Sequence, residues 1–263
     1  MLALSLGRSQ MATVATSQPK WQHAPAGAYD RIFYSGMAVA MAATVFVGFA
    51  PTFYLRFYFH APTPSGATSL TRLAQLHGAL FSSWVVLFIV QTSLVAKHNV
   101  AMHRRLGTAG VLLAAVMTVV GAITGIKAAA RGAVPPGADP LGFLAIPLGD
   151  MLMFSIFVAS AFFWRRNREA HKRLMLLAYI SIVAAATARL PGVLPLGPLW
   201  FYGLAFIFLL IAVAYDLGSR HRIHIAYILG GGLLVVSVPL RLMISGTGTW
   251  RAIAQFLVGR VGN

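Results

Sequence analysis

Two histidine-bearing stretches carry the first chemical signal in this chain: NVAMHRRLG at 99–107 and NREAHKRLM at 167–175. Each places an Asn four residues before a His, adds two basic residues and a Leu, and then runs into apolar sequence. A looser third turn, SRHRIH, ends on His224. His103, His171 and His224 are therefore candidate cofactor ligands. A helix N-terminus favours neutral imidazole over imidazolium, and neutral imidazole is the form that binds a metal or haem iron. Three convergent imidazoles suit copper or zinc, and two suit a b-type haem. The competing reading is that these turns hold lipid phosphates and fix topology. A second group comprises His77, Asp150, Arg189 and Arg241. Counted at 1.5 Å per residue along apolar runs, all four fall in the outer half of a membrane, where ionisable groups are costly and by default paired and functional. Asp150 reads either as a structural ion pair with Arg189 or Arg241, or, with His77, as a proton-relay or quinone-headgroup contact.

What the chain lacks narrows the chemistry. It has no Cys, which removes thiolate metal sites, iron–sulfur clusters and disulfides together. Only five Asp and Glu are present, too few to expect a four-carboxylate di-iron centre. No phosphate-binding loop, dinucleotide fingerprint, nucleophile elbow or HExxH occurs. Histidine is the remaining abundant ligand, so haem b or copper is the candidate cofactor, and no catalytic residue is assigned.

Residues with these types need a scaffold, and composition says what it is. Of 263 residues 58% are hydrophobic and 10% charged, against about 25% charged in a soluble domain. The mean hydropathy is +0.76. The net charge of +16 sits mainly in short turns between apolar runs, which fits anionic lipid headgroups rather than nucleic acid. Seven runs have the length to span a bilayer: 32–55, 73–96, 106–128, 142–164, 173–190, 199–216 and 225–245. The expected fold is an all-α integral membrane protein, one N-terminal helix followed by three hairpins. Turns after the second, fourth and sixth spans are tight and basic, whereas those after the first, third and fifth are longer and rich in Pro and Gly. Thirteen of the 21 Lys and Arg lie on the basic-turn side, which the positive-inside rule makes cytoplasmic, with the N-terminus inside and the C-terminus outside.

Residues 1–28 read as a cytoplasmic tail, with Met11 a candidate start. The six-residue apolar run at Met1–Leu6 has no basic residue before it and is too short for a secretory signal. Residues 29–245 form the transmembrane domain. In 246–263, Trp250, Ile253, Phe256 and Leu257 recur at helical spacing, as in a short helix lying on the membrane surface. GAITG at Gly121–Gly125 and AAATA in the fifth span offer small faces for close helix approach. The aromatic run at Phe53–Phe59 reads as an interfacial belt.

The segments QLHGALFSSWVVLFIVQTSLVAKHNVAMHRRLGTAG and RRNREAHKRLMLLAYISIVAAATARLPG resemble a family of uncharacterised bacterial multi-pass predicted membrane proteins. In that family a His opens one helix, an HR-x-x-G turn opens the next, and an H-[RK]-R-[LW]-M segment follows. The resemblance covers roughly residues 73–190 and places His77, His103 and His171 at the family's recurrent His positions; it implies a bacterial membrane protein and no particular chemistry. A looser likeness to four-helix transmembrane b-type cytochromes breaks down because the spans lack facing intramembrane His pairs. The functional expectation is a bacterial inner-membrane protein with a His-ligated redox or metal site, acting in electron transfer or within a membrane redox complex. One alternative is an accessory subunit that binds anionic lipids or other membrane subunits. Another is a small transporter using Asp150 and the arginines, against which the parallel repeat of the hairpins counts.

Overall fold

The computed structural model describes residues 29–63, 66 and 69–261; the expected tail at 1–28 and the candidate start at Met11 lie outside them. The apolar runs fold as helices and no strand occurs among the described residues. Helix α1 (Asp30–Phe49) continues through a π-helical turn (Ala50–Tyr54) into the short α2 (Arg56–Phe59). The long α3 (Arg72–Ala96) and α4 (Val100–Ala130) follow. A short α5 (Pro140–Phe143) breaks at Leu144 into α6 (Ala145–Phe163), and α7 (Arg168–Thr187) returns. After a 3₁₀ turn (Leu194–Leu196) come α8 (Pro198–Arg220), a π-helical turn (Tyr227–Gly231) running into α9 (Gly232–Ser245), and α10 (Gly248–Val261).

Helix capping explains why one punctuation is used twice. Asn99 caps α4 by accepting from the Met102 amide at 3.2 Å. Asn167 caps α7 by accepting from the Glu169 and Ala170 amides, both at 3.1 Å. Asn is among the best N-caps because its side chain satisfies amides the helix leaves unpaired. The histidine four residues later therefore stands in the first turn of each helix. His98 and His221 close the preceding helices in the left-handed region, with φ of 60° and 55°, a conformation His enters more readily than most residues.

Six helical segments are long and apolar enough to cross a membrane: Asp30–Tyr54, Arg72–Ala96, Val100–Ala130, Pro140–Phe163, Pro198–Arg220 and Tyr227–Ser245. These match six of the seven expected spans and make the chain an all-α protein of multi-pass membrane type. The expected fifth span is α7, which starts earlier than its apolar run and carries four charged residues in its first two turns. It holds the centre of the bundle, packed against α1, α6, α8 and the π-helical turn before α9. Thirteen of its twenty residues are buried, so its neighbours rather than lipid surround it and its polarity is tolerated. Twenty residues at 1.5 Å each give it a length of about 30 Å.

Small residues set the approach distances. Gly121 and Gly125 in α4 face Met151 and Pro147 of α6, and Gly121 has no room for a Cβ. Gly48 of α1 meets the backbone of Ala186, in the small face of α7. Close backbone contact of this kind is what holds helices together where burial against lipid contributes little. The apolar positions of α10 divide between two surroundings. Trp250 and Leu257 pack on Ile126, Ala129 and Leu144, while Ile253 and Phe256 stay exposed. The Trp250 indole N–H donates to Leu141 O at 2.8 Å, and Arg251 pairs with Asp139 at 3.0 Å, so α10 is fastened to α4 and α5.

A ligand-sized cavity and a buried charge network

At the basic-turn end, His103 and His171 come together with ring centroids 6.2 Å apart. His171 Nδ1 is 2.9 Å from Ala161 O, so it donates there and leaves a lone pair on Nε2. With its amide turned to satisfy both ends, Gln91 donates to His103 Nδ1 at 2.6 Å and accepts from the Gly107 amide at 2.9 Å. His103 then carries its proton on Nε2. The pair thus presents one donor and one acceptor, and two open lone pairs require Gln91 to turn away. His224 does not join them. Its Nδ1 accepts from the Ala226 amide at 3.1 Å and its own amide donates to Asp216 at 3.2 Å, so it serves as the cap of the last span. Among the described residues, no group of three or more His, Asp or Glu side chains is placed to hold a metal ion.

The same end holds a network that residue types and spacing alone do not reveal. Arg173 is one of the thirteen Lys and Arg counted on the basic-turn side, in a turn read as holding lipid phosphates and fixing topology. It is instead fully buried and makes a fork-shaped pair with fully buried Asp216, Nε to Oδ2 at 2.8 Å and Nη2 to Oδ1 at 2.5 Å. Arg173 also donates to Glu169 Oε2 at 2.7 Å and to Glu169 O at 2.8 Å. Lys172 bridges Glu169 and Asp30, while Arg220 donates to both oxygens of Asp30 at 2.7–2.8 Å. Tyr215 donates to Asp30 as well, at 2.8 Å. These contacts tie α1, α7 and α8 together. The signal available in sequence is the i,i+4 spacing of Glu169 with Arg173 and of Asp216 with Arg220, which puts each pair on one helix face.

The second group lies at the opposite end, on the side of the Pro/Gly-rich loops, and splits in two. Asp150 is buried and pairs with Arg241 at 2.6 Å. Tyr202 donates to the same carboxylate oxygen at 2.7 Å. Arg241 spends its other donors on Ser237 O at 3.1 Å, Ser237 Oγ at 2.8 Å and Ile146 O at 3.3 Å. A Cβ on Gly149 would overlap the Arg241 side chain, so a glycine is what lets the arginine lie across α6. Of the two arginines considered as partners for Asp150, the structure uses Arg241 and leaves Arg189 elsewhere.

Arg189 and His77 line a cavity of about 440 Å³ between α1, α3, α4, α6 and α7. Its wall is mostly apolar, with Phe49, Phe53, Phe81, Ile182 and Phe201 prominent, and Asp150 touches it from one side. The π-helical turn after α1 supplies Thr52 and Phe53, the latter seated against Gly78 of α3, where no Cβ would fit. His77 stacks on Phe81 with centroids 4.1 Å apart. Three residues of the lining each keep one polar atom buried behind the cavity surface with no protein partner among the described residues: His77 Nδ1, Tyr179 Oη and Thr52 Oγ1. Leaving a buried donor or acceptor unmade costs about 1–3 kcal/mol, so three around one chamber form an unusual concentration. Tyr179 and Thr52 are not among the residues the sequence singles out, because nothing in their local sequence separates them from ordinary span residues. No protein-family model, curated protein or solved structure matches the chain.

Proposed function

We propose that this chain is a multi-pass membrane protein that binds a small amphipathic molecule in the cavity beneath the Pro/Gly-rich loops. The observation that carries this reading is an apolar chamber whose wall includes His77, Tyr179 and Thr52, each with a buried polar atom unpartnered among the described residues. The cavity volume falls within the roughly 300–1,000 Å³ typical of small-molecule sites, and an apolar wall with a few polar groups is their usual chemistry. A quinone-like or lipid-like ligand would lay its apolar part against the phenylalanines and offer oxygen acceptors to His77, Tyr179 and Thr52. Asp150, bonded to Arg241 and Tyr202, supports the wall, which leaves His77 as the proton-exchanging group of the site. The exposed arginines at 104, 105, 165, 166 and 168 would meet anionic headgroups, with the basic turns on the cytoplasmic side of a bacterial inner membrane.

Ala185 provides the test. It lines the cavity and is exposed although Ala184 and Ala186 beside it are buried. Ala185→Trp should fill the chamber without disturbing helix packing. Native mass spectrometry of wild type and variant, with decylubiquinone and oleate as probes, should show adducts on wild type alone. Equal adducts on both would sink the reading. A second reading rests on the His103–His171 pair, which would support electron transfer through a two-His haem or copper site. Optical spectra and metal analysis of the purified protein address it, and a colourless, metal-free preparation overturns it.

A further inference from the structure

Among the described residues, Arg189 has no carboxylate partner. Each of the chain's five acids is already held: Asp30, Glu169 and Asp216 in the network at the basic-turn end, Asp150 by Arg241, and Asp139 by Arg251. The Arg189 guanidinium donates to Ala185 O at 2.5 Å and lies 4.3 Å above the Phe49 ring. Both of those residues line the cavity, so the cation is fixed at its wall by one short bond and one ring face. A guanidinium presents five donors in a fork, and most of that capacity is unused here. Arg131, also in the lining, sits at the exposed rim and forms no ion pair among the described residues. Among the described residues of the lining the one acid, Asp150, is neutralised by Arg241. The chamber therefore carries uncompensated positive charge inside an apolar wall.

We infer that the counter-ion is the ligand itself: a single-chain amphiphile with an anionic oxygen head, a carboxylate or a phosphate monoester. The inference rests on the ligand-binding reading above and adds the head-group class. An arginine fork matches two oxygens of such a head in parallel, and charge-assisted bonds of this geometry are the strong ones. His77 and Tyr179 of the wall hold buried polar atoms that become further partners for its oxygens where their side chains turn toward it, and Phe49, Phe53 and Phe81 are the wall for its chain. The volume lies toward the small end of ligand sites, which suits one chain rather than a whole two-tailed lipid.

The experiment measures binding of four probes to the full chain in dodecyl maltoside: oleate, oleyl phosphate, oleyl alcohol and decylubiquinone. Wild type should bind at least one of the anions more tightly than oleyl alcohol by roughly ten- to a hundredfold, the loss expected when a charge-assisted bond is absent. Which anion leads separates a carboxylate from a phosphate site. Arg189→Gln should bring the preferred anion down to the affinity of the alcohol while leaving the alcohol unchanged, and Arg131→Gln should have a smaller effect. The comparison among probes on wild type stands even where Arg189→Gln folds poorly. Equal binding of anions and alcohol, or preference for the quinone, overturns the anionic head and keeps the cavity as a ligand site. Binding of no probe, with or without Ala185→Trp, overturns both.

Discussion

Replacing Asp216 by Asn tests whether the central helix is anchored as the contacts indicate. Arg173 and Asp216 are both fully buried and joined by two bonds at 2.5 and 2.8 Å. With charge centres about 4 Å apart and an effective dielectric near 20, Coulomb's law gives about 4 kcal/mol. Breaking one side of a buried pair costs about 3–5 kcal/mol because the surviving charge stays buried. Glu169 still faces Arg173 at 2.7 Å but is 46% exposed, so it compensates only in part. Asp216→Asn should thus destabilise by about 3 kcal/mol, the lower end of that range. The charge-free pair Arg173→Met with Asp216→Leu should cost less than the sum of its single variants, with a coupling of about 0.5–3 kcal/mol. Reversible unfolding in mixed dodecyl maltoside and SDS micelles, followed by tryptophan fluorescence and circular dichroism, reads these differences. A cost below about 1 kcal/mol for Asp216→Asn, or strict additivity in the double variant, would refute the idea that this pair anchors α7 to α8.

Three further outcomes follow from the same contacts. Asn99→Ala and Asn167→Ala should each lose about 1 kcal/mol, with the larger effect at Asn167, whose side chain accepts from two amides; the same unfolding assay measures both. Gly149→Ala should displace Arg241 from Asp150 and destabilise by about 1–3 kcal/mol, whereas Gly203→Ala, in open space on α8, should not. Burial, reinforced by the charge of Arg173, holds the His224 imidazole below its usual range. The folded state then binds fewer protons than the unfolded one, so this contribution is complete above about pH 6.5 and lost as pH falls toward the folded value. Protonating Nδ1 also breaks its bond from Ala226. Unfolding measured from pH 8 to 5 should show that slope flattened in His224→Gln, and an unchanged slope would contradict it.

The spans are legible in the sequence because their causes are local, but two helix starts are not: α4 and α7 begin at Val100 and Arg168, ahead of the expected 106 and 173. Apolar length announces spans, Gly121 with Gly125 announces a close approach whose partner, α6, only the fold names, and the caps at Asn99 and Asn167 emerge with the structure. Arg173 is not legible. In a turn with Arg165, Arg166, Arg168 and Lys172, nothing in its neighbourhood marks it as the one driven inward. Its burial depends on Asp216, forty-three positions later, reaching it from α8. The site at the Pro/Gly-loop end is legible as a set of residue types and illegible as a set of pairs. Counting residues places Asp150, Arg189 and Arg241 at one depth, but the rotation of each helix chooses Arg241 for Asp150.

By itself, then, the sequence determined that this chain is a helical bundle of membrane type, where its apolar runs lie, and that histidine and arginine are its chemical resources. Hydropathy and composition act over a few residues and need no partner. The tertiary structure alone decided that α7 lies at the centre, that His224 stands apart from His103 and His171, and that Arg189 lines a cavity whose acid, Asp150, is taken by Arg241. Those facts depend on which helix faces meet, a property of packing across the whole bundle that no local stretch contains.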